Sequence, residues 1–306
     1  MKAFLLIVFC CVVNFGGWAN VGAEFSSKDY DGDNDWGSDN SGSNSECYDA
    51  DIKEFPFTAA LYYNHEFICS ATIITRYLAV TPAFCIQDKS YILMDLSVGK
   101  THPSPDEGIH ITQAIKHPHF NPRTGDYDIA VLIFERIAFN ETIKPMLLLN
   151  WPFRPIPTGT PVKIATWGHC ERNGTGEESL QVIHKNLMDV KECQKMYIGK
   201  RIIHPTRMYC IAANWTVPCS QESGSPLVTN NSTTGLGIAS NRFQCPPRDL
   251  PSVYISLNER HIRKFIDDMI KQYADLTVKG GPDNDFQKLN KIVPPTFIQN
   301  DPVEEK

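Results

Sequence analysis

Cys219-Ser220-Gln221-Glu222-Ser223-Gly224-Ser225-Pro226-Leu227-Val228 is the stretch around which this 306-residue chain is organised. A serine followed by glycine, on a turn pinned by a nearby cysteine, presents a hydroxyl beside backbone N–H donors, as a nucleophile requires. A hydroxyl is a weak nucleophile at neutral pH, so Ser223 needs a base and a carboxylate to orient that base, both supplied from elsewhere in the chain.

Outward from this stretch the sequence breaks into short apolar runs. Residues 57–63, 68–80, 109–115, 129–134, 162–167, 180–187, 235–240 and 252–257 are mostly strand-sized and rich in β-branched and aromatic side chains. Many short strands separated by Pro, Gly and Asn turns predict a sandwich or barrels. One helical period stands out near the end of the chain. Ile262, Phe265, Ile266, Met269 and Ile270 share a face of residues 258–276, with Arg263, Lys264, Asp267 and Asp268 turned away. The mixed signs of that polar face favour a helix docked on the body over one lying on a membrane surface.

The ends of the chain differ from its middle. Met1-Lys2, the apolar run 3–15 and the small residues up to Ala23 predict a secretory signal at 1–23. No later stretch approaches about 18 uninterrupted apolar residues, so a transmembrane anchor is not expected. Ten cysteines become eight once Cys10 and Cys11 leave with the signal, and an even count in an exported chain predicts disulfides. The sequons at Asn140, Asn173, Asn214, Asn230 and Asn231 fit the same route as N-glycosylation sites. Residues 24–46 carry seven acids against Lys28, a net of −6 that equals the formal charge of the whole chain. The acidity thus belongs to this Ser/Gly/Asp-rich segment, which predicts disorder, and the remainder is nearly neutral, without a basic face for nucleic acid. In Asp29 to Asp35 the glycine is not at the place a calcium loop requires, and no glutamate closes twelve residues. Residues 276–306 read as a flexible tail.

Taken in order, the motifs resemble the trypsin/chymotrypsin-like serine peptidase family. Cys69-Ser-Ala-Thr-Ile-Ile-Thr75 and Leu78-Ala-Val-Thr-Pro-Ala-Phe-Cys85 are similar to C-G-G-S-L-I and V-V-T-A-A-H-C. His117-Pro-His-Phe-Asn-Pro122 and Asp126-Tyr-Asp-Ile-Ala-Val-Leu132 resemble H-P-x-Y-N and N-D-I-A-L. Ala165-Thr-Trp-Gly168 resembles T-G-W-G, Cys219 to Val228 resembles C-Q-G-D-S-G-G-P-L-V, and Pro251-Ser-Val-Tyr254 resembles P-G-V-Y. The resemblance spans about residues 55–274. It implies an all-β fold, two packed antiparallel six-stranded β-barrels with a C-terminal α-helix, over a domain of 47–275. It also implies the disulfides Cys69–Cys85, Cys193–Cys210 and Cys219–Cys245, leaving Cys47 with Cys170; without it, eight cysteines allow 105 connectivities.

The resemblance places Ser223 at the nucleophile and Asp128 at the orienting carboxylate. The base position, immediately before Cys85, is Phe84, and a phenyl ring can neither take the serine proton nor return one to a leaving group. Its ring is expected to fill the space an imidazole would leave, against Cys85 and neighbouring apolar residues. Asp128, with no histidine to hold, is expected to hydrogen-bond locally. Gln221 stands in the oxyanion region beside Ser223, where the family keeps glycine. Glu222 replaces the aspartate that pairs with a cleavage-generated amine, and no activation site precedes it. At the pocket-equivalent positions, Val217 lies at the floor, Ser252 replaces a wall glycine, and Ser240-Asn241-Arg242 follows the strand that would pair with substrate. No cofactor or metal is implied.

These departures point to a secreted non-catalytic serine peptidase homologue of insect-like type. It is expected to act as a binding or regulatory module on an extracellular protein such as an active serine peptidase, its substrate or its inhibitor, with no nucleic-acid or membrane partner. Two other readings stay open: a weak endopeptidase using Ser223, and an adaptor whose acidic segment 24–46 makes the contact.

Overall fold

The computed structural model describes residues 47–149, 156–168, 179–212, 223–230, 233–240 and 250–277. Its first half forms β1 (Cys47–Asp49), β2 (Thr58–Tyr63), β3 (Glu66–Ile73), β4 (Leu78–Thr81), β5 (Met94–Val98), β6 (Ile109–Lys116) and β7 (Ala130–Phe134). β2 to β7 close into a barrel in the order β2-β3-β4-β7-β6-β5. Every residue of β4 and β7 is buried, because one face fills the barrel and the other is covered by neighbouring chain. The run 68–80 divides into β3 and β4 at a turn, where the N–H groups of Ile74 and Thr75 both bond to Leu78 O.

The second half contributes β8 (Leu147–Leu148), β9 (Pro161–Gly168), β10 (Ser179–Asn186), α1 (Val190–Met196), β11 (Met208–Ile211), β12 (Pro226–Thr229), β13 (Thr234–Ala239), β14 (Ser252–Ser256) and α2 (Arg260–Thr277). Six of these strands run antiparallel in the order β10-β9-β12-β13-β14-β11. A bridge between Leu187 and Ile211 brings the two ends of this set together, so that the sheet curls into a half-barrel. Two strands are additions to the expected architecture: β1 covers the edge of β10, and β8 pairs in parallel with β13. A core that includes Leu61 and Leu132 from the first sheet, Ala165, Trp167 and Val182 from the second, and Phe55 from the segment before β2 runs between the two.

α2 begins where Glu259 accepts the N–H groups of His261 and Ile262, at 2.9 and 3.1 Å, an acid placed at the positive end of the helix. Ile262, Phe265, Ile266 and Ile270 are buried on its apolar face, as the periodicity predicts, with Tyr273 buried beside them and Met269 partly buried. It packs on the first barrel: Phe265 meets His117 edge-on at 4.9 Å and the Tyr273 hydroxyl donates to Gln113 of β6 at 2.6 Å. α1 has no counterpart in the sequence expectations. It has seven residues, with Asp189 capping the N–H groups of Lys191 and Glu192.

Candidate functional site

Asp128 lies on the turn before β7 and retains 1% of its surface exposed. The turn is clamped from several sides. Tyr127 sits at φ +50°, an unusual conformation for a non-glycine residue, and stacks flat on the buried His117 at 4.6 Å. Arg207 covers the Tyr127 ring at 4.6 Å and makes a bidentate pair with Asp126 at 2.9 and 2.8 Å. The turn that carries the Asp128 carboxylate is therefore fixed by its own neighbours. The carboxylate oxygens accept the Phe84 N–H at 2.8 Å and the Ser240 hydroxyl at 2.7 Å, partners 44 and 112 positions away.

Phe84 belongs to the short 3-10 turn Ala83–Ile86 that follows β4, tied to β3 by the Cys69–Cys85 disulfide. The expectation that its ring fills an apolar hole does not hold. Ala83, Cys85 and Ile86 take the inward positions of this turn, and Phe84 keeps 38% of its surface exposed. The backbone occupies the place beside Asp128 while the ring faces out.

Ser223 and Gly224 form the turn into β12. Gly224 has φ +88°, and a Cβ there would stand 1.9 Å from Ser70 O, so only glycine fits. Ser70 N–H donates to Ser223 O at 2.7 Å, and Gly224 N–H donates to Ala239 O at 2.8 Å. The serine turn is thus fastened to β3 on one side and to the end of β13 on the other. The next residue along, Ser240, carries the hydroxyl bonded to Asp128. These bonds bring Phe84 and Asp128 of the first barrel together with Ser240 and the Ser223 turn of the second sheet, while Ser252 opens β14 opposite Ile211.

Sequence reasoning missed Arg201, which enters from the loop after α1. Its Nη1 donates to Ser240 O at 2.6 Å and its Nη2 to Ser240 Oγ at 2.8 Å. The Ser240 hydroxyl therefore accepts from a guanidinium and donates to Asp128, a relay from cation to carboxylate through one oxygen. No local pattern in Ile198-Gly199-Lys200-Arg201 announces this, because the contact joins residues 39 positions apart.

A second disulfide, Cys193–Cys210, ties α1 to β11. Cys47 is disulfide-bonded, and its expected partner Cys170 lies outside the described residues, as do Cys219, Cys245, Val217, Gln221, Glu222 and Arg242. Of the sequons, Asn140 and Asn230 are described and exposed; Asn173, Asn214 and Asn231 are not described.

Comparison with known proteins agrees with this geometry. The trypsin family profile matches residues 45–266. The chain is 25% identical over 211 residues to trypsin 5G1 of Aedes aegypti, covering 68% of this chain and 78% of that protein. To venom serine protease 34 of Apis mellifera it is 30% identical over 211 residues, covering 63% of this chain and 51% of that protein. Among solved structures, scabies mite inactivated protease paralogue S-D1 superposes with a TM-score of 0.63 at 20% identity, covering 73% of this chain and 96% of that one. With a profile match over residues 45–266, most of its length, the chain belongs to the trypsin family.

Proposed function

We propose that this protein is a secreted, non-catalytic serine peptidase homologue acting as a binding or regulatory module in extracellular fluid. The observation that carries the reading is the pairing of Phe84 with Asp128: the residue bonded to the orienting carboxylate through its backbone has a side chain with no proton to exchange. An acyl transfer through Ser223 then lacks both its general base and the acid that releases the leaving amine. The occupation of the Ser240 carbonyl and hydroxyl by Arg201 supports the same reading, since these polar groups beside Asp128 already serve an internal contact. The two disulfides and the similarity to a venom protease support export.

The test is a fluorophosphonate probe on the purified, glycosylated protein. The expected result is no stoichiometric labelling of Ser223. Rapid stoichiometric labelling that disappears in Ser223→Ala would instead establish a working nucleophile and overturn the reading in favour of an unconventional endopeptidase.

A further inference from the structure

We propose that the cleft contains a seat for a guanidinium group, and that the chain fills it with its own Arg201. Three surfaces build the seat. Ser240 offers its carbonyl oxygen and its Oγ to Nη1 and Nη2 at 2.6 and 2.8 Å, two acceptors matched to the two ends of a planar fork. The same Oγ donates to Asp128 at 2.7 Å, so the positive charge is balanced by a buried carboxylate one hydroxyl away. A buried carboxylate is costly without such compensation. The third surface is Gly125, at φ +73°. A Cβ there would stand 3.1 Å from Arg201 Nη2 and 3.4 Å from Cζ and Nε, so bare backbone forms a wall against which the fork lies.

The loop that delivers the side chain is itself anchored. Gln194 Nε2 donates to Ile203 O at 2.8 Å, Arg201 N–H to Tyr197 O at 3.1 Å, and the Tyr197 hydroxyl to Pro251 O. Arg201 is thereby held over the end of β13. The ligand class is a planar monovalent guanidinium; an ammonium supplies the charge without the paired donors.

Arg201→Ala empties the seat, and thermal denaturation reads the outcome. The variant is expected to melt about 5 °C below the wild type. Methylguanidinium at about 10 mM is expected to return about half of that loss, with methylammonium at the same concentration returning less. The wild type, its seat full, is expected not to respond, and the rescue is expected to vanish in Asp128→Asn/Arg201→Ala. The proposal is overturned by an Arg201→Ala protein as stable as the wild type, by an equal response of both proteins to methylguanidinium, or by rescue that persists with Asp128→Asn. Should Arg201→Ala yield no folded protein, Arg201→Lys decides. A Tm equal to wild type removes the need for a fork, whereas a lowered Tm that Asp128→Asn lowers little further supports it. The proposal goes beyond the functional reading, and its readout is stability, so it can fail while Ser223 stays unlabelled and stand if Ser223 labels.

Discussion

Phe84→His returns a titratable ring to the position the family resemblance gives the base, yet Arg201 still holds Ser240, and the resemblance sets Gln221 against a family glycine. Peptide hydrolysis by this variant is expected to stay at least about 10³-fold below that of an ordinary family member, because loss of oxyanion geometry alone costs on that order. Turnover matching an ordinary trypsin would show that the histidine was the sole defect. Gly224→Ala is expected to cost more than about 3 kcal/mol in urea denaturation, since the added carbon would lie 1.9 Å from a backbone oxygen at a positive φ. At this scale the sequence is informative wherever a residue's neighbours in sequence are also its motif. Phe84, Asp128 and Ser223 were legible because each sits beside a cysteine, an Ile-Ala pair or a glycine that fixes its register. Arg201 was not, since its partners Ser240 and Gly125 are reached only through the tertiary fold. The orientation of the Phe84 ring was misjudged for a related reason: which residue of a four-residue turn faces out depends on the disulfide and on what lies beneath the turn.

Among the elements, α2 is the clearest case of a helix specified by its pattern. Ile266 is fully buried on its inner face, so Ile266→Ala is expected to destabilise the fold by about 2–5 kcal/mol, measured as a shift in the urea midpoint. The outer pairs Arg263–Asp267 and Lys264–Asp268 are worth only about 0.2–0.5 kcal/mol each, and Asp268→Ala serves as the matched control. Strands apolar on both faces, such as β2 and β7, were visible as runs. β5 and β11 were not: Met94-Asp-Leu-Ser-Val98 alternates, but over only five residues and with no apolar run, and Met208-Tyr-Cys-Ile211 is four residues long. α1 escaped for want of length, having barely two turns in which a 3.6-residue period can show. The extra edge strand β1 carries no signal of its own; it is a strand because β10 offers it an edge.

Across the whole molecule, acid sensitivity is expected to centre on His117. Burial holds its imidazole below the ordinary histidine range, opposed by a bond to the His261 backbone and by Glu259, and reinforced by His119 and His261. The folded state therefore prefers the neutral ring, which Tyr127 stacks upon. In the unfolded chain the ring takes up its proton near pH 6.5. The stability it contributes is complete above that value and is lost as the pH falls through it toward the lower folded pKa. Urea midpoints at about pH 7.5 and about pH 5.5 should fall further for the wild type than for His117→Asn, and parallel changes would exclude this histidine as the cause.

The ends of the domain are exchanged between its halves: β1 completes the second sheet, and α2 covers the first barrel around His117. A chain made from its amino terminus forward cannot finish either half early. When β7 has emerged, the first barrel still lacks the helix that will shield it, and β1 still waits for β10. Both halves thus reach maturity together, only once α2 has been made, and until then the unfinished barrel is an intermediate that exposes an apolar face to unwanted association.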